Sequence, residues 1–243
     1  TVTGVQTCAL PISRLHALCV DRASGKILQD IEVHREREPQ AVHQLNSYAS
    51  PTPVIEEGRL YCHFGVYGTF CVDTASGKVL WKNTELKLKH ENGPGSSIIL
   101  WKDLAIVQCD GSDVQFVVAL DKQTGKVAWK TTRTGEMNKN PQLKKSYATP
   151  LILDMAGKPV LFSQGANWLY GYDPASGKEL WKVGYGALGF SLSARPVAGH
   201  GMFFMSTGFM KPQMMGVKYD GMDTPEIAWT STKSAPTMPS RPA

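Results

Sequence analysis

The residues with chemical potential in this 243-residue chain fall into a few short groupings. His90, Glu91 and Asn92 precede Gly-Pro-Gly and could present polar groups at a channel mouth; the simpler reading is a tight turn before a strand. Asp110 and Asp113 share the stretch CDGSDVQ, a spacing that could offer oxygens to calcium. Calcium takes about six to eight ligands, and only these two can be named, so an Asp-Gly turn is preferred. His34 and His43 flank the charged run HREREPQAVH without a third ligand, which reads as surface histidines. Arg133 and Lys144 stand in one long polar stretch and could meet an anion. No Ser/His/Asp order, phosphate loop or paired-carboxylate geometry emerges.

The five cysteines contain no C-x-x-C pair, so neither zinc nor a redox motif is indicated. Cys19 and Cys71 each stand just before Val-Asp, and buried thiols packing as small hydrophobes account for them. Net charge is +5, from 26 basic and 21 acidic residues. The densest basic run, Lys126 to Lys145, reads as a solvated loop, so no nucleic-acid partner is expected. No apolar run approaches the roughly eighteen residues of a membrane span.

What positions these groups is a repeat. Residues 21–30 read DRASGKILQD, 73–82 DTASGKVLWK, 121–130 DKQTGKVAWK and 173–182 DPASGKELWK; a degraded fifth copy, DGMDTPEIAW, covers 220–229. The leading Asp recurs at 21, 73, 121, 173 and 220, giving steps of 52, 48, 52 and 47. A period near fifty is an array signature. Each phrase lies between two apolar runs and reads as a hairpin turn. Asp and Ser or Thr accept backbone N–H groups there, and Gly77, Gly125 and Gly177 supply positive φ. Two further apolar runs per period, turning at Glu57-Gly58, Lys102-Asp103 and Ala156-Gly157, bring the count to four strands. The expected fold is all-β: a β-propeller of four-stranded antiparallel blades. A two-sheet sandwich is the alternative, but nothing in one demands a fifty-residue internal copy.

The "ALD", "TGK" and Trp pattern, with Thr-Pro or Ser-Pro opening the first strand, resembles the quinoprotein-like, or PQQ-type, propeller repeat from Arg14 to Pro242. The resemblance implies that Trp81, Trp129, Trp181 and Trp229 dock between neighbouring blades. Gln29 replaces Trp in the first copy, which puts docking there in question, and Pro225 replaces the turn Gly in the last. Residues 1–13 fit no repeat position and are expected to be a non-native leader. Residues 14–243 are expected to form one propeller domain, an open fragment of about four full blades with partial blades at both ends.

The resembled family includes quinone-dependent dehydrogenases and the lipoprotein of the outer-membrane β-barrel assembly machinery, which has no catalytic role. The dehydrogenases carry adjacent cysteines over the quinone, and no Cys-Cys pair occurs here. Trp101, Trp168, Tyr172 and Phe190 could wall a flat slot, yet packing between blades accounts for such aromatics. The expectation is therefore a non-catalytic scaffold without cofactor or metal. It would bind a protein or small ligand on the face bearing the long loops 30–47, 83–95, 131–147 and 183–191. His90, Asn92, Asp110, Asp113, Arg133, Lys144 and Trp168 are its candidate residues. The alternative is part of a quinone-dependent alcohol or sugar dehydrogenase. Either resemblance implies a periplasmic or extracellular protein.

Overall fold

Alternating apolar runs separated by Asp/Gly turns build five antiparallel sheets. A computed structural model describes residues 2–8, 13–187, 191–208, 210–233 and 235, with backbone alone for 2–8. Blade one holds β1 (Val2–Cys8), β2 (Ser13–Val20) and β3 (Ile27–Glu36). Blade two holds β4 (Val54–Glu56), β5 (Arg59–His63), β6 (Thr69–Asp73) and β7 (Val79–Asn83). Blade three holds β8 (Ile99–Trp101), β9 (Leu104–Asp110), β10 (Gln115–Asp121) and β11 (Val127–Thr132). Blade four holds β12 (Leu151–Met155), β13 (Lys158–Gln164), β14 (Trp168–Tyr172) and β15 (Glu179–Gly184). Blade five holds β16 (Val197–Gly199), β17 (Met202–Ser206), β18 (Met214–Lys218) and β19 (Glu226–Ser231). Within each sheet the strands pair in chain order.

Two expectations change at the N-terminal end. Val2–Cys8 pairs with β2 from Val2↔Val20 to Cys8↔Arg14, so this stretch occupies the second-strand position of blade one. The repeat phrase gave no sign of it, because second strands carry no fixed residue. The first long loop also starts later than residue 30, because β3 continues to Glu36 beside β2. At the other end, the expected opening strand at 234–243 lies, apart from residue 235, outside the described residues.

The repeated phrase makes one turn four times. In the second copy Ser76 donates to Asp73 through both its N–H and its hydroxyl, and Gly77, at φ 71°, closes the loop by donating to the Asp73 carbonyl. Asp21 and Asp121 hold their turns in the same way, and Asp173 accepts from the Ser176 hydroxyl and the Ala175 N–H. After each turn the outer strand bulges by one residue: Cys71 faces Trp81 while Val72 faces Val79, leaving Leu80 over. Leu28, Ala128, Leu180 and Ala228 are the matching extra residues. Leu28, Leu80 and Leu180 are exposed there, while Trp81, Trp129 and Trp181 are buried against the next blade.

Docking then follows. The Trp81 indole donates to the carbonyl of Lys122, and Trp129 to that of Pro174, each the residue after the next blade's Asp. Gln29, questioned on sequence, does the same: its amide donates to Thr74 O at 3.2 Å. Trp181 breaks the pattern, because its N–H is buried without a partner among the described residues. The turn it faces is the one Pro225 has rebuilt. Trp229 is 40% exposed and does not dock on a described blade. The core accordingly lies between blades, one cluster joining blades one to three and others joining three to four and four to five.

Candidate functional site at the loop face

Outer-to-inner links and second-to-third links meet on one face, where the second strands end in His63, Asp110, Gln164 and Ser206. The sequence candidates mostly lie here, but they serve three separate arrangements.

The first is a buried ion pair. Arg133, just past β11, aims its guanidinium back at Asp110 at the end of β9. Nε donates to Oδ1 at 2.7 Å and Nη2 to Oδ2 at 2.8 Å, and neither side chain has any exposed surface. Burial works against the guanidinium charge, but Asp110 together with Tyr172 and Tyr170 outweighs it and raises the Arg133 pKa. Burial pushes the Asp110 carboxyl above its ordinary range although Arg133 pulls it down. Nη2 also donates to Ser163, and the guanidinium lies 4.8 Å over the Tyr170 ring. Ser163 donates to Gln108, whose amide reaches Ser146 and the Gln164 carbonyl. The Gln164 amide donates to Ser206 O at 2.9 Å. One polar chain thus ties blades three, four and five together. Gln108, Ser146, Ser163 and Gln164 were missed from sequence, since no motif marks them.

The second arrangement surrounds His90, whose Nε2 accepts the Val66 N–H at 2.9 Å while its carbonyl accepts the Tyr147 hydroxyl. Gly65, at φ 60°, admits the ring, since a Cβ there would lie 2.0 Å from Nε2. Burial lowers the pKa of His90 to about 4 and that of His63 to about 3. Both imidazoles, with Gln108, Asp110 and Ser146, border a cavity of about 10 Å³, room for roughly one water. Asn92 braces this loop through its carbonyl, which accepts from Asn46 Nδ2 at 2.6 Å and from the His43 N–H.

The third set is scattered. Asp113 caps the Lys89 N–H at 2.8 Å and is exposed, whereas the Asp110 carboxylate is buried and held by Arg133. Lys144 is half-buried at the end of the short 3-10 turn Pro141–Lys144. Its neighbour Lys145 is wholly buried and pairs with Glu91 at 3.3 Å, a contact the sequence did not suggest. Trp168 donates to Glu136 O at 3.0 Å, with its indole between Gly135 and Gly184. It pins the loop after β11. Among the described residues, no three His, Cys, Asp or Glu side chains gather to hold a metal ion.

Inner strands β4, β8 and β12 border an axial groove of about 650 Å³. Their entries are laced together: Thr52 N–H donates to Ser97 Oγ and Ser97 N–H to Thr149 Oγ1. Of the residues the sequence offered to a quinone, Trp101 borders this groove. Arg133 is engaged by Asp110, and Trp168 and Tyr172 belong to the packing between blades three and four. Phe190 lies outside the described residues.

The family model for outer membrane protein assembly factor BamB matches residues 2–131 and 104–208. The chain belongs to the BamB family. BamB from Moraxella catarrhalis is similar at 16% identity with a TM-score of 0.64, over 94% of this chain and 60% of that one. The chain thus spans less than two thirds of that relative. Quinohemoprotein alcohol dehydrogenase from Comamonas testosteroni is similar at 13% identity and TM-score 0.53, over 90% of this chain and 38% of that one. A chain of a mitotic checkpoint complex reaches TM-score 0.61 at 11% identity, over 97% of this chain and 67% of that one. At these identities the likeness to each solved structure is one of fold. No curated protein matches the chain.

Proposed function

We propose that this BamB-family chain is a non-catalytic scaffold that binds protein on its loop face in the periplasm. One observation carries the reading beyond family membership. The groups on that face best suited to chemistry, Asp110 and Arg133, neutralise each other in a fully buried pair that ties blades together. What remains outward is a set of loops on a rigid support, the usual arrangement for recognition. The stretch 85–91 illustrates it. Leu86, Leu88 and His90 are buried and Glu85, Lys87, Lys89 and Glu91 exposed, a strand-like alternation outside every sheet. Among the described residues, no helix is long and apolar enough to cross a membrane.

The test is deletion of the encoding gene in its source cell, followed by heat-modifiability gels of outer-membrane β-barrel proteins. A drop in folded barrels is expected. It should be restored by the gene but not by a variant with Lys87 and Lys89 changed to Glu. Undiminished barrels, together with quinone-dependent, dye-linked alcohol oxidation by the purified protein, would overturn the reading in favour of a dehydrogenase.

A further inference from the structure

Lys145–Tyr147, in the link from blade three to blade four, is keyed into the links on both sides. Toward 85–91, Lys145 Nζ donates to Glu91 Oε2 at 3.3 Å, and the Tyr147 hydroxyl donates to the His90 carbonyl at 2.9 Å. Toward blade five, the Lys145 carbonyl accepts the Ser191 N–H at 3.2 Å, and the Tyr147 N–H meets the Leu192 carbonyl at 2.6 Å. Ser146 between them bridges to both Asp110 and Leu192.

The two residues that Lys145 grips share a backbone peculiarity. Among the described residues, six that are not glycine have left-handed φ. Glu57, Lys102, Ala156 and His200 stand in the turns between first and second strands, and hairpin turns take that φ. The other two are Glu91, at 63°, and Ser191, at 59°, both in loops. Such a residue persists only where its surroundings hold it. For Glu91 the hold is polar. The Lys145 side chain has no exposed surface, and Gln142 bonds to both its ammonium and the Glu91 carboxylate. Lysine is almost never buried so fully unless paired. Hydrogen bonding to Ser112, then to Lys145 and Gln142, keeps the Glu91 carboxyl below its ordinary range although burial opposes this.

We propose that Lys145 is the positioning residue of the recognition loop: its buried ammonium locks Glu91 in left-handed backbone and so fixes the face that Glu85, Lys87 and Lys89 present to a partner. This rests on the reading of the loop face as a protein-binding surface. The lock acts from the next link of the propeller, so the shape of 85–91 is set by residues far from it in sequence.

Hydrogen exchange and limited trypsin digestion of the purified chain test the lock without any partner. In Lys145→Met the amides of 85–92 should exchange about tenfold faster or more, the loss expected when a left-handed residue is released. Trypsin should then cut after Lys87 or Lys89, while exchange in β5, β9 and β13 stays as in the parent. Glu91→Ala removes the same contact from the half-buried side and should free the same amides, so the test survives if Lys145→Met does not fold. Combining Lys145→Met with Glu91→Asn is decisive. Asparagine tolerates left-handed backbone, so protection should return, which it would not do if Lys145 merely filled space. Unchanged exchange in both single variants, or a double variant as mobile as Lys145→Met, would overturn the proposal. In the barrel-folding assay Lys145→Met should restore folded barrels less well than the parent gene, and the double variant better than Lys145→Met. Full restoration by Lys145→Met with its loop mobile would also overturn the proposal, whereas failure of the parent gene to restore barrels would count against the loop-face reading instead.

Discussion

The Trp129 indole N–H meets the Pro174 carbonyl at 3.1 Å and joins blade three to the turn of blade four. This contact shows what the repeated phrase is for. Gly125 and Gly177 leave room for the indole of the blade before them, and the bulge after each turn aims the next docking side chain onward.

Trp129→Ala should therefore cost about 3–5 kcal/mol, the usual penalty for emptying a buried Trp site. Trp101, half-buried and outside the phrase, should cost less on the same change. Urea unfolding of both variants checks the order, and equal midpoints for Trp129→Ala and the parent would show that the docking carries no stability.

Glycine substitutions separate backbone strain from collision. Gly157 and Gly177 have φ of 79° and 72°, but a Cβ on Gly157 meets nothing while one on Gly177 lies 2.4 Å from Trp129. Gly157→Ala should lose about 1 kcal/mol for the left-handed backbone alone. Gly177→Ala should lose clearly more, and differential scanning calorimetry would rank them.

Removing one member of the buried ion pair strands the other. Arg133→Met is expected to cost about 3–5 kcal/mol, whereas Arg133→Met combined with Asp110→Leu should recover much of that loss. Thermal melts of the single and double variants give the coupling. Additive losses would mean that the pair does not interact.

Acid should loosen the His90 loop. Burial lowers the His90 pKa to about 4, from the ordinary value of about 6.5 that applies in the unfolded chain. The unfolded chain therefore binds more protons between those values, and stability falls as pH drops through that window. It is fully present above the unfolded value, and the loss levels off below the folded one. For His90 alone the full difference is about 3 kcal/mol, of which about 2 is lost by about pH 5. His63, lowered further to about 3, acts in the same direction. In His90→Gln, whose amide oxygen can accept the Val66 N–H, the stability gap between neutral and mildly acidic buffer should narrow by about that amount. Urea midpoints at the two pH values measure it.

The sequence by itself determined the blade. Asp, Ser or Thr, and Gly act within six residues of one another, so their turn forms from local hydrogen bonds and one permitted φ, and the spelling survives in every intact copy. The period and four apolar runs then require a four-stranded sheet. What the loop-face residues do was decided only by tertiary structure. Asp110 lies three residues from Asp113, which suggested shared calcium, but its carboxylate is turned inward to Arg133, 23 positions away. Gln108, Ser163 and Gln164 carry no signature, because a polar chain across three blades depends on how the blades are stacked. Gln29 shows the same limit at a single site. Its side chain breaks the Trp pattern, yet it meets the Thr74 carbonyl, since a carbonyl at a fixed place in space accepts a bond from either donor.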